Sequence, residues 1–135
     1  MIAVDTSALI AIILNEPERD AFLGTLDEAA AIVMSAASLV ETRLVAWSRG
    51  RQPLVDEVNA LILAYRIEVA PVDWSDADHA YDANITFGKG GGHPANLNFG
   101  DLFSYSLAKA RGAPLLFKGD DFGKTDIVSP ARMTA

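Results

Sequence analysis

Four short apolar runs, set apart by stretches of helical period, constrain this chain more than anything else in it. They are Ile2-Ala3-Val4, Ala31–Met34, Ile67–Ala70 and Leu115–Lys118. Each has the length of a strand. Between them apolar residues recur at three- and four-residue spacing, as in Leu54, Val55, Val58, Leu61, Ile62 and Tyr65, which is the period of an amphipathic helix. Strands buried on both faces read as continuous apolar runs, and strand–helix alternation builds a parallel sheet covered by helices on each side. The pattern predicts an α/β fold: a three-layer α/β/α sandwich with a mostly parallel central sheet of four to five strands. At 135 residues one domain, 1–135, is the natural unit, able to bury roughly two-thirds of its unfolded surface.

Capping residues place the elements. Thr6 or Ser7 is expected to cap a helix reaching about Leu14, because a hydroxyl accepts the free N–H groups there. Pro17 opens a second helix with Glu16 and Glu18 beside it, where acids suit the helix dipole. Ser35 caps a long helix through about Ser48, ended by Gly50, and Pro53 begins the next. Ser75 is expected to cap another, with Asp78 in a capping-box position, fading near Thr86. Residues 88–99 form a long Gly-rich loop, and Asp101 opens a helix to about Arg111. Ile127-Val128 is expected as a short fifth edge strand.

Composition excludes several classes. Without cysteine there is neither a disulfide scaffold nor a thiolate metal site. No apolar run approaches the ~20 residues of a membrane span, and residues 8–14 lack the flanks of a signal peptide, so a cytoplasmic protein is expected. The net charge of −7 argues against a general nucleic-acid binder. That charge is uneven: residues 1–86 carry 14 acids against 5 bases, and residues 87–135 carry 4 against 6. A local basic rim of Arg43, Arg49, Arg51, Lys118 and Lys124 suits an anionic ligand.

The chemistry lies in the acids. Asp5 closes the first apolar run, Glu41 lies early in the helix after the second, Asp101 opens the helix after the Gly-rich loop, and Asp120-Asp121 follow the last strand. In a parallel sheet, strand ends and the helix starts after them gather along one edge, where ligands bind. Each acid also has a plain explanation. Asp5 and Asp101 suit helix caps, Gly-Asp-Asp suits a turn, and Glu41 can reach solvent or pair with Arg43 or Arg49. Together they point to a shared pocket, since capping accepts Ser, Thr or Asn equally well. Clustered like charges call for a divalent cation, and oxygen donors with only two histidines, His79 and His93, favour Mg²⁺ or Mn²⁺ over zinc. Gly88-Lys89-Gly90-Gly91-Gly92-His93 lacks phosphate-loop spacing and reads as a mobile lid.

Ile2-Ala3-Val4-Asp5-Thr6-Ser7-Ala8-Leu9 resembles the opening of PIN-domain ribonucleases, especially the VapC toxins of toxin–antitoxin pairs. Ser35-Ala36-Ala37-Ser38-Leu39-Val40-Glu41 resembles their second acidic motif, and residues 97–105, around Asn98 and Asp101, the third. Residues 115–127, with Gly119-Asp120-Asp121-Phe122, resemble the C-terminal motif of one VapC branch. The resemblance implies a Mg²⁺-dependent endoribonuclease, with Mn²⁺ able to substitute, acting on structured RNA of the transfer or ribosomal class. It implies Asp5, Glu41, Asp101 and Asp121 as catalytic, Asp5 and Asp101 as direct metal ligands, and Glu41, Asp120 or Asp121 as ligands directly or through water. Thr6 and Asn98 become supporting residues; Arg43, Arg49, Lys118 and Lys124 become candidates for RNA phosphates. A VapB-like antitoxin is implied as partner, its tail in an apolar groove drawn from Leu9, Ile13, Leu14, Phe22, Leu23, Leu44 and Trp47, and so is a homodimer. The rival reading is a non-catalytic protein-binding module whose acids are caps and turns. A haloacid-dehalogenase-type phosphatase needs an acid where Ser7 stands, and a phosphoacceptor receiver needs one where Ala70-Pro71 ends the third strand.

Overall fold

The computed structural model describes residues 1–130. The elements run β1 (Ile2–Val4), α1 (Thr6–Ile13), α2 (Arg19–Glu28), β2 (Ile32–Ser35), α3 (Ala36–Ala64), β3 (Glu68–Ala70), α4 (Trp74–Phe87), α5 (Phe99–Arg111) and β4 (Leu115–Leu116), with a 3₁₀ turn at Phe122–Lys124. The four strands form one sheet in the order β3-β2-β1-β4, every pairing parallel.

Alternation along these strands divides the core. Ile2, Val4, Ile32, Met34 and Leu116 point into a layer with Leu9, Ile12 and Leu26 of α1 and α2 and Val58 and Ile62 of α3. Ala3, Val33, Ala70 and Leu115 point the other way, onto Ala80 and Ala83 of α4 and Leu102, Leu107 and Ala108 of α5. Successive side chains of a strand face opposite sides, so β1, β2 and β4 are buried on both, while edge strand β3 leaves Glu68 and Val69 exposed. The three-layer sandwich is therefore present, with a sheet parallel in every pair.

The chain leaves β1 toward β2 and β3, then returns to place β4 on the far side of β1. The strand order thus reverses at β1, and the ends of β1 and β4 open the crevice that such a reversal creates. The functional candidates cluster there.

Several local expectations need correction. Asp5, not Thr6 or Ser7, caps α1, accepting from the backbone N–H of Ser7. Asp73 and Asp76 form the capping box of α4, displacing the expected Ser75 and Asp78, because the helix begins at Trp74. Ser35 caps α3 as expected. Arg51, at φ 59° and ψ −155°, breaks α3 between Gly50 and Pro53, so the two expected helices abut without a loop. Ile127-Val128 is not a strand: Val128 contributes one carbonyl to the Leu115 N–H at 2.9 Å. β4 itself stops at Leu116 because the Lys118 N–H turns aside to donate to Ser7 Oγ. The Gly-rich loop is pinned at its base, where Leu97 exchanges backbone bonds with Phe87 and Lys89. His93 packs edge-on against Phe87 and accepts from the Ala95 N–H.

Candidate active site

Asp5 stands at the end of the central strand and is only 3% exposed. Burying a carboxylate is costly unless donors replace its water, and here they do. Ser7 gives Oδ2 its backbone N–H at 3.0 Å and its hydroxyl at 2.6 Å. Ser104, from α5, gives Oδ1 its hydroxyl at 2.5 Å. Each serine is itself held: Ser7 Oγ accepts from the Lys118 N–H at 3.0 Å, and Ser104 Oγ lies 3.1 Å from Ser38 Oγ. Thr6 donates to the Ser38 carbonyl, and Thr42 sits over both. This buried polar seam ties α1, α3, α5 and the end of β4 to one carboxylate.

Asp101 lies in the first turn of α5. Its Oδ2 accepts from the Asn98 N–H while Asn98 Oδ1 accepts from its own, a capping box. That part of the plain explanation is correct, yet it does not account for the charge around the residue. Burial pushes the Asp101 carboxyl up from 3.8 to about 6, the Asn98 N–H opposes, and Asp5, Asp121 and Glu41 each add repulsion. Four acids from four separate segments therefore act on one another. Both Asp120 and Asp121 are exposed, and of the two it is Asp121 whose charge raises Asp101.

Glu41 completes the set one and a half turns into α3. Its carboxyl is also raised, by burial first, with the Thr6 hydroxyl opposing and Asp5 adding repulsion. A glycine makes room for it. A Cβ on Gly100 would overlap Glu41 Oε2, so the glycine before Asp101 leaves room for the Glu41 carboxylate in this position. Asp5, Glu41, Asp101 and Asp121 thus converge, as do Thr6 and Asn98 beside them.

The convergence stops short of a closed cage. Among the described residues no three acid or histidine side chains stand as a finished metal-holding group. The oxygens of Asp5 face hydroxyls, and one oxygen of Asp101 faces a backbone N–H. The donor set is nevertheless all oxygen and anionic, the chemistry that suits Mg²⁺ or Mn²⁺, and the repulsion on Asp101 is what a cation would relieve.

The basic candidates divide. Lys118 Nζ pairs with Glu16 at 3.2 Å and Glu18 at 3.3 Å, and Arg43 donates to Asn59. Arg49 and Lys124 are exposed. Sequence reading missed Ser38, Ser104 and Gly100. The signal was present: Ser38 precedes Glu41 and Ser104 follows Asp101 by three residues, and side chains at that spacing share a helix face.

Residues 2–128 match the PIN domain family. Ribonuclease VapC30 of Mycobacterium tuberculosis is 42% identical over 128 residues, covering 95% of this chain and 97% of its own. Ribonuclease VapC of Mycolicibacterium smegmatis is 41% identical over 126 residues, covering 93% and 97%. Among solved structures, the M. tuberculosis toxin VapC20, which cleaves the sarcin-ricin loop, superposes with a TM-score of 0.78 at 17% identity, covering 95% of this chain and 97% of that one. VapBC2 from Rickettsia felis, bound to a DNA fragment from its promoter, superposes at 0.69 with 18% identity, covering 96% of each chain. Its fold, its length and its relatives agree: the chain belongs to the PIN-domain family, among the VapC ribonucleases of toxin–antitoxin pairs.

Proposed function

We propose that this chain is a divalent-metal-dependent endoribonuclease, toxic when free and restrained by a cognate antitoxin. The observation that carries the reading is the meeting of acids from separate segments at the β1–β4 crevice, where Asp5 at the end of β1 is hydrogen-bonded to Ser104 of α5, Glu41 of α3 lies against Gly100, and Asp5, Asp121 and Glu41 surround Asp101. Asp5 and Asp101 would hold Mg²⁺, or Mn²⁺ in its place, with Glu41 and Asp121 assisting directly or through water. When bound, the cation supplies Lewis-acid chemistry, activating water and stabilising charge on a phosphodiester. Asp5 serves as the rigid member, held by three donors. Glu41 holds a proton more readily than an ordinary carboxyl, which suits a group that orients an attacking water. Thr6 and Asn98 act in support, Thr6 near Glu41 and Asn98 through the cap on Asp101.

The substrate is RNA of the ribosomal or transfer class. Lys124 and Arg49 are the better candidates for its phosphates, since Lys118 is already engaged by two glutamates and Arg43 by Asn59. Phosphate contacts position the strand without reading its sequence. The loop at 88–96 would close over it, its exposed tip at Lys89–Gly92.

For the antitoxin, the expected groove residues separate by exposure. Leu9 lies fully in the core, with Ile13, Phe22 and Leu23 packed against it. Leu44 and Trp47 are 63% and 46% exposed, and Val40 joins them at 57%. These three make an apolar stripe on α3 beside Glu41, suited to the apolar face of an antitoxin helix. A homodimer is supported by a second face, where Trp74, Tyr81 and Ile85 of α4 and Phe99 of α5 stand exposed; contiguous apolar patches of this kind mark protein contacts. Among the described residues no helix is long and apolar enough to cross a membrane, and we place the protein, as one PIN domain over 1–135, in the cytoplasm.

The test is cleavage of total RNA by chain purified free of antitoxin. Cleavage should require Mg²⁺ or Mn²⁺, cease with chelator, and fail in Asp5→Asn. Full cleavage by that variant overturns the assignment. A folded wild-type chain that binds neither Mn²⁺ nor RNA favours the non-catalytic binding module.

A further inference from the structure

We infer that Ser104 is a positioning residue for Asp5, its hydroxyl fixing the direction in which this carboxylate offers its remaining oxygen lone pair to a cation. The inference rests on the metal-dependent reading above. Ser104 is 1% exposed and lies 99 residues from Asp5 in sequence, yet its Oγ is 2.5 Å from Asp5 Oδ1. An ionised carboxylate has about four acceptor positions and a hydroxyl one proton. Ser7 fills two positions, both on Oδ2, and Ser104 fills one on Oδ1. About one is left, on the oxygen that Ser104 touches.

Counting protons orders the rest of the seam. The Ser104 proton goes to Asp5, so in the 3.1 Å contact between Ser38 and Ser104 it is Ser38 that donates. On the other side the Lys118 N–H donates to Ser7, whose proton goes to Oδ2. Two relays, from α3 through α5 and from the end of β4 through α1, both aim their hydrogens at Asp5. Removing Ser7 frees an oxygen facing away from Ser104. Removing Ser104 instead leaves the carboxylate held at Oδ2 alone, free to turn about its Cβ–Cγ bond, so the direction of Oδ1 is no longer fixed. Groups that orient metal ligands from behind typically matter by roughly 10–100-fold in affinity or activity.

The experiment is Mn²⁺ binding to the purified full chain, followed by titration calorimetry and by electron paramagnetic resonance of free Mn²⁺. RNA cleavage is measured in parallel across metal concentrations. Ser104→Ala should weaken Mn²⁺ affinity about tenfold or more, raise the metal concentration needed for half-maximal cleavage by a similar factor, and leave the KM for RNA unchanged. Ser106→Ala is the control. Ser106 is buried two residues further along α5, and its hydroxyl has no partner among the described residues, so its loss should leave Mn²⁺ affinity as it was. Unaltered Mn²⁺ affinity in a folded Ser104→Ala chain overturns the inference, as does an equal loss in Ser106→Ala. If the wild-type chain binds no Mn²⁺ at all, it is the metal-dependent reading that fails, and this outcome is distinguishable from either of the others.

Discussion

The two sides of the acidic crevice are built on opposite principles. On the β1 side Asp5 is buried and meets three hydrogen-bond donors. On the α5 side Asp101 has one backbone donor and three acidic neighbours, and its carboxyl rises to about 6. The first arrangement makes a carboxylate rigid, because every alternative orientation leaves buried donors unpaired. The second makes a carboxylate's charge more costly, by burial first and by its acidic neighbours after, a cost that a cation would offset. On the proposed reading, a site that joins them would set a fixed ligand beside a charge imbalance that a cation relieves.

Substituting each side in turn separates the two roles. Asp5→Asn should have the largest effect, lowering cleavage by more than about 100-fold and also lowering stability by about 1–3 kcal/mol, because an amide N–H must face a hydroxyl or N–H already donating. Asp101→Asn should lower cleavage comparably while raising thermal stability near pH 7.5. Its oxygen can still accept from the Asn98 N–H, and the repulsion disappears. A parallel unfolding series on both variants checks the opposite signs; equal destabilisation would erase the distinction drawn here.

Stability against pH sharpens the same contrast. A carboxyl whose folded value lies above its unfolded one binds its proton more tightly when folded. This group's contribution to stability is therefore fully present below about pH 4, declines as pH rises from 3.8 toward about 6, and is lost above that, a cost of about 2 kcal/mol once the shift is discounted for solvent screening of a partly exposed carboxyl. Without metal, the wild-type chain should lose stability across this window relative to Asp101→Asn. Saturating Mg²⁺ should remove the difference. Denaturant titrations at pH 5 and pH 7.5 measure it.

Smaller effects follow at the margins. Gly100→Ala forces Glu41 Oε2 aside, so cleavage should drop about tenfold while helix content, read by circular dichroism, stays the same. Lys118→Ala breaks only half-exposed contacts with Glu16 and Glu18; such pairs contribute little, and the KM for RNA should barely change. A clear rise in KM would restore Lys118 to the phosphate-binding rim.

Most of the sheet was legible because β1, β2 and β4 are buried on both faces and read as short apolar runs, and the acids were legible because they lie at or near the ends of elements. What the residues did not disclose depends on approach between distant segments. Ser38 and Ser104 look like small residues on ordinary helices until α3 meets α5. Asp120 and Asp121 are equivalent in a string of letters and differ only once the 3₁₀ turn at Phe122–Lys124 sets which one lies near Asp101. Caps shifted for a related reason: acids and hydroxyls compete for the same N–H groups, and Asp5 and Asp73 outcompeted the neighbouring hydroxyls of Thr6, Ser7 and Ser75. The expected edge strand at Ile127-Val128 failed because a single carbonyl satisfied Leu115, leaving no ladder to extend.

The central claim is that acids from four separated segments form one cation-binding crevice, rigid at Asp5 and charge-strained at Asp101. Diffraction from crystals grown with Mn²⁺, recorded at the manganese absorption edge, tests this most directly. The account predicts anomalous density between the carboxylates of Asp5 and Asp101, absent when Asp5 is replaced by Asn. Manganese bound only elsewhere on the surface, or nowhere at concentrations that support cleavage, would contradict it.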